Sequence, residues 1–224
     1  YNEEWLYKLF GINAEILIDH SWGLEPCLMK DIKSYKSKNS SLSSNQVLPR
    51  PYKFKEAEII VKEMSDILDL DLIKKNLVTE SVTLYIGFDH ESDVNGYNGP
   101  FHIDHYGRIV PKHAGGSFRF TTPTNSAKEI TKAFLNIFND EKRVNRNLLI
   151  RRIGVCANKI SVNTGCYQLE LFRDYEKEAK ENKLQHTLLQ IKSKYGNNAI
   201  LKGNNFLECS RTIERNSQIG GHKA

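Results

Sequence analysis

Apolar residues along the chain switch repeatedly between helical and strand spacing. Trp5, Leu6, Leu9 and Phe10, then Ile12, Ile16 and Leu17 after Gly11, follow a helical period until Gly23 and Pro26 interrupt it, which predicts two short helices. Residues 34–45 turn to Ser, Lys and Asn, either a linker or a polar strand ending at Gln46-Val47-Leu48 before Pro49. Past Pro51, Phe54, Ala57, Ile60, Val61, Met64, Ile67 and Leu68 form one stripe, predicting an amphipathic helix to about Lys75. Val82, Leu84, Ile86 and Phe88 alternate with polar or small residues, the period of a strand with one buried face. The Gly, Asn and His-rich stretch from Asp89 to Gly116 has no period and is long for an internal loop. Phe118 and Phe120 mark a further strand, which Pro123 is expected to end. Ser126 with Glu129 is a capping-box pattern ahead of Ile130, Ala133, Phe134, Ile137 and Phe138. A last strand from Leu148 to Asn158 places Leu149, Arg151, Ile153, Val155 and Ala157 on one side. Ile150, Arg152, Gly154, Cys156 and Asn158 fall on the other.

The order β-α-β-β-α-β predicts an α+β fold: a four-stranded sheet with two helices on one face, of ferredoxin-like layering. The N-terminal short helices and a charged C-terminal helix, with Tyr175, Ala179, Leu184, Leu188 and Ile191 near heptad spacing, flank it. Residues 196–224 are weakly periodic and predicted to be partly irregular. The sheet's second face must meet solvent or a partner. Its outward positions are Ser, Thr, Tyr, Gly, Arg119, Arg152 and Asn158, with no carboxylate among them, a composition suited to a polyanion.

Composition sets the bounds. The chain has 224 residues, 26% charged and 39% hydrophobic, and a formal net charge of +5. That length suits one globular domain with attachments, and the short apolar runs predict no membrane span. Four cysteines without a CxxC pair argue against a zinc ribbon or a disulfide framework, leaving a reducing cytoplasm as the expected compartment. The opening Tyr1-Asn2-Glu3-Glu4-Trp5 has neither an initiator Met nor a signal pattern and reads as the start of a fragment, the cut end of a helical domain.

Asn147 to Val155 (NLLIRRIGV), Ser43 to Arg50 (SSNQVLPR) upstream, and Gln168-Leu169-Glu170-Leu171-Phe172 downstream resemble the C-terminal part of Y-family, UmuC-like translesion DNA polymerases. The similarity is greatest to Gram-positive members of the DNA polymerase IV and V type and covers essentially the whole chain. It implies the end of a thumb in residues 1–35, a little-finger DNA-binding domain in 36–160, and a clamp-binding segment, helix and extension in 161–224. It also implies a role in DNA repair and damage tolerance in the bacterial cytoplasm, at the nucleoid. The metal-binding carboxylates of the palm would lie upstream of Tyr1, so this chain alone is expected to be non-catalytic and without a cofactor, with magnesium serving the full-length polymerase.

The resemblance places Arg151 and Arg152 on the DNA backbone, and Lys36, Lys38, Ser40, Ser41, Ser43 and Arg119 extend that surface toward sequence-independent contact with a primer-template. The competing reading makes the arginine pair two snorkelling cations on an edge strand. Neighbours on a strand point to opposite faces, so Arg151 is expected to reach around from the core side or the strand edge. Gln168, Leu169, Leu171 and Phe172 match the family's Gln-Leu-x-Leu-Phe sliding-clamp peptide; the alternative is a strand or a first helical turn. His90, His102, His105 and His113 have a spacing that could hold a metal, but a solvated loop is the preferred reading. Asp66, Asp69 and Asp71 are expected on a solvated helix face. Two other functions stay open: an RNA-binding module, weakened because only Tyr85 is an outward aromatic, and a protein-interaction adaptor using the helix at 173–194. The sequence leaves the oligomeric state undetermined.

Overall fold

The computed structural model describes residues 3–35, 40–104, 106–165, 175–219 and 222–223. The chain divides into two compact units, Tyr1–Asn39 and Ser40–Ala224. In the first, α1 (Glu3–Phe10) and α2 (Asn13–Ser21) form where the helical period predicts them. A third helix, α3 (Met29–Ser34), restarts after Pro26 because the Asp31 carboxylate accepts the Leu28 N–H at 3.0 Å, satisfying a donor at its N-terminus. Trp5, Leu9, Phe10, Ile16 and Trp22 are exposed, as expected of helices too short to bury both faces.

The second unit follows the predicted order. It runs β1 (Ser41–Tyr52), α4 (Phe54–Lys74), β2 (Leu77–Phe88), the small hairpin β3 (Phe101–Ile103) and β4 (Ile109–Pro111), β5 (Ala114–Thr124), α5 (Ala127–Asn139) and β6 (Ile150–Val162). β1, β6, β2 and β5 form one antiparallel sheet in that spatial order. β1 continues through Pro49 and Pro51, and β5 through Pro123, past the ends the prolines suggested. Both are edge strands, where a missing N–H costs no ladder bond.

The helical stripes read from the sequence are the ones buried. Ile60, Met64 and Leu68 of α4 and Ile130, Phe134 and Phe138 of α5 meet Val82, Leu84 and Ile86 of β2 and Ile153, Val155 and Ala157 of β6. Each such side chain contributes about 1.5 to 3 kcal/mol of transfer free energy, enough to fix which sheet face is covered. Ser126 caps α5 by accepting the Glu129 N–H.

After the sheet the chain returns to the same unit. Glu181 of α6 (Tyr175–Tyr195) accepts from the Ser126 hydroxyl and the Lys128 N–H, both at 3.0 Å, so a carboxylate from one helix closes the N-terminus of another. Residues 196–219, expected to be partly irregular, dock on α4 through Glu63, which is only 1% exposed. Its carboxylate accepts from Asn205 Nδ2 at 3.0 Å, from the Arg211 N–H at 3.0 Å and from the Ser210 hydroxyl. Asn205 also donates to Thr212 at the start of α7 (Thr212–Asn216), and Lys202 pairs with Asp66 at 2.6 Å. The expected solvated face is therefore corrected for Asp66 and Asp69, while Asp71 stays partly exposed. Asp69 is wholly buried beside Ser65, whose hydroxyl lies 2.8 Å from that of Thr131 on α5.

Candidate functional site

The strand registers fix the face of the sheet turned away from α4 and α5. Ser41 of β1, Asn158 of β6, Ser81 of β2 and Arg119 of β5 lie in one row. Ser43, Cys156, Thr83 and Ser117 form the next, then Asn45, Gly154, Tyr85 and Gly115, and finally Val47, Arg152 and Gly87. By strand geometry the rows span about 14 Å and the columns about 20 Å. Asn158 Nδ2 donates to Thr83 Oγ1 at 2.9 Å, and the Thr83 and Ser117 hydroxyls are 2.7 Å apart. The centre of the face is thus a tied lattice of short polar groups.

Of the residues singled out in the sequence, Ser41, Ser43, Arg119 and Arg152 share this face, with Ser40 at the head of β1. Lys36 and Lys38 lie outside the described residues, as do Gln168, Leu169, Leu171 and Phe172. Asn45 and Val47 were missed, although alternation from Ser41 and Ser43 reaches both. Arg119 is not wholly clear of acidic neighbours: Glu80 approaches its guanidinium at 3.9 Å from an irregularity in β2–β5 pairing. No carboxylate occupies the rows themselves.

Arg151 overturns the expected alternation. Arg152 is opposite Gly87, yet Ile150, not Arg151, is opposite Phe88, so β6 carries one extra residue there. Ile150 and Ile153 are both fully buried, three positions apart, which regular pleating forbids. The bulge resolves the conflict by placing two arginines between two core residues, and both line the same cavity at the end of the open face. Arg151 does not come from the core side; its Nε lies 3.7 Å from Asp89.

That cavity measures about 440 Å³. One wall comes from residues of the stretch after β2, expected to be an aperiodic loop, in which the structure places the β3–β4 hairpin. Ser92 ties it down, donating to the Asp89 carbonyl at 2.8 Å and accepting the Leu149 N–H at 3.1 Å. Asp104 closes the hairpin. Its carboxylate accepts the N–H groups of Tyr106 and Arg108 at 2.9 Å and the Arg108 Nε–H at 2.8 Å, and the guanidinium bond above all holds its pKa down at about 2. Among the described residues, Asp89, His90 and Glu91 lie close enough to share a cation, but Asp89 is already engaged by the Glu91 N–H at 2.9 Å and by His90 at 3.0 Å.

Residues 39–171 match the impB/mucB/samB family C-terminal domain. The chain belongs to this family. Among curated relatives, it is 26% identical over 225 residues to "DNA polymerase IV 2" of Bacillus subtilis (strain 168), covering 97% of this chain and 47% of that protein. It is 25% identical to the "Putative UV-damage repair protein UvrX" of the same organism, over 99% of this chain and 47% of the relative. A further "DNA polymerase IV 2", from Halalkalibacterium halodurans, is 21% identical over 95% of this chain and 46% of its own length. The chain thus spans about half the length of the curated relatives it matches. The matched region takes in the whole open face. No helix among the described residues is long and apolar enough to cross a membrane.

Proposed function

We propose that this chain is the DNA-binding and sliding-clamp-docking portion of an error-prone translesion DNA polymerase acting in DNA repair and damage tolerance. The observation that carries the reading is the bulge in β6, which puts Arg151 and Arg152 together at one end of a sheet face whose rows hold short polar groups, Arg119 and no carboxylate. Guanidinium groups bind phosphate oxygens well, and Ser, Thr and Asn add donors that fix position without reading bases. A polymerase moving along any template needs such contacts. An RNA-recognition sheet would stack bases on several outward aromatics; here Tyr85 stands alone on the described rows, while Phe118 and Phe120 lie on the helix side.

The nucleotidyl-transfer chemistry, with magnesium, belongs to the full-length polymerase rather than to this chain, and the working compartment is the cytoplasm. The Gln168 to Phe172 peptide, between β6 and α6 in sequence, supplies the clamp contact. Fluorescence anisotropy with duplex DNA tests the central claim. Affinity is expected to fall steeply as salt rises, and Arg151→Ala with Arg152→Ala is expected to weaken binding to every sequence alike, by about tenfold or more at low salt. Salt-independent affinity, or a double variant that binds as well as the parent, overturns the assignment.

A further inference from the structure

We infer that the cavity at the Arg152 end of the open face is a seat for one unpaired nucleotide of single-stranded DNA leaving the duplex-binding surface. The inference rests on the proposed duplex reading and names a separate site beside it. The space suits this occupant: about 440 Å³ lies at the lower end of the range of small-ligand sites and is far too small for a base pair in a duplex. Its chemistry suits a nucleotide as well. Tyr85 and His113 form a ring pair with centroids 5.1 Å apart, and His102 and Tyr106, the latter with the Arg108 guanidinium 4.9 Å over its ring, also line the cavity, so a base meets aromatic and cationic groups. Arg152 supplies the phosphate donor from the floor. Gly87 keeps that floor open, since a Cβ there would sit 3.0 Å from the Arg152 Cβ and 3.5 Å from the Tyr85 ring.

The acidic groups in the cavity do not oppose this use. Asp104 is held by Arg108, Asp89 faces Arg151, His90 and the Glu91 N–H, and the third acid of the lining, the exposed Glu91, lies with its carboxylate beside Asp89 and His90, on the Asp89 side of the cavity. The cavity also opens where the sheet rows end, at Val47, Arg152 and Gly87, so a strand crossing the face reaches it without leaving the arginines.

The test compares a blunt duplex, the same duplex with a short single-stranded overhang bearing 2-aminopurine, and the free single strand, all titrated into the full chain. The overhang is expected to bind on the order of tenfold tighter than the blunt duplex, with quenching of 2-aminopurine by stacking. His102→Ala with His113→Ala, both at exposed positions, is expected to abolish that gain and the quenching while leaving blunt-duplex affinity within about twofold. An overhang that gives no gain, or a gain and quenching that survive in the histidine variant, overturns the seat. Failure of the duplex reading looks different. The blunt duplex then goes unbound or ignores the arginine substitutions, and histidine-dependent quenching of the free strand still supports the seat.

Discussion

Asp69 illustrates how a single side chain sets a pH dependence. Burial raises its pKa well above the ordinary value, the negative charge of Asp66 adds to the effect, and Oδ1 has no hydrogen-bond partner among the described residues. The folded state therefore holds the Asp69 proton more tightly than the unfolded chain does. Its contribution to stability is fully present below the unfolded pKa of about 3.9 and is lost as pH rises through the folded value. Asp69→Asn keeps the shape and removes the titration. The variant is expected to melt about 2 to 4 °C higher than the parent at pH 8, with the advantage shrinking as the pH is lowered toward 4. Thermal melts across that range check it; equal melting temperatures at pH 8 would show that the buried carboxyl carries no penalty. A charge three residues from Asp66 on a helix reads from sequence as a solvated face, because nothing local reveals that α5 and residues 196–219 cover it.

At the level of elements, what was legible depended on period. The stripes of α4 and α5 could be read because burial from one side repeats every turn, and β2 because its buried face repeats every second residue. A bulge breaks that count silently: from sequence, Ile150 and Arg152 share a face, and only the pairing of β6 with Phe88 and Gly87 shows that they do not. The β3–β4 hairpin escaped because three-residue strands carry no period, and residues 196–219 because they dock through polar groups gathered on Glu63 rather than through an apolar stripe. The hairpin's return to the sheet also depends on one glycine. Gly115 has φ +131°, and a Cβ there would lie 2.0 Å from the Leu84 carbonyl oxygen, a backbone atom that cannot step aside. Gly116 differs, since its added Cβ would meet the Arg143 guanidinium, the far end of a flexible side chain. Gly115→Ala is thus expected to cost more than about 2 kcal/mol, and Gly116→Ala well under half of that. Urea unfolding of the pair checks the contrast, and equal losses would refute the geometry assigned to Gly115.

Across the whole molecule, the proposed function requires the open face and the Gln168 to Phe172 peptide to cooperate. Twelve residues separate the end of β6 at Val162 from the start of α6 at Tyr175, and Gln168 to Phe172 lie among them. Both flanking elements belong to the sheet-bearing unit, β6 by strand pairing and α6 by the Glu181 contacts at the α5 N-terminus. Leu171 is nine residues beyond Val162, so even a fully extended chain keeps it within about 32 Å of the sheet's end. On the proposed function, a clamp captured by that peptide would hold the open face at high effective concentration over the DNA the clamp encircles, and two weak contacts would then combine into long residence. Burying Leu171 and Phe172 is worth roughly 3 to 6 kcal/mol before ordering costs, which by itself corresponds to an affinity between about millimolar and tens of micromolar. Leu171→Ala with Phe172→Ala is expected to abolish clamp binding in calorimetry while changing DNA affinity, measured without clamp, by less than about twofold. On clamp-loaded DNA the same variant should lose its residence time even though its arginines are intact. If the clamp binds parent and variant equally, the peptide is not the docking element. If DNA affinity without clamp collapses as well, the two surfaces are not independent and the tethering argument fails.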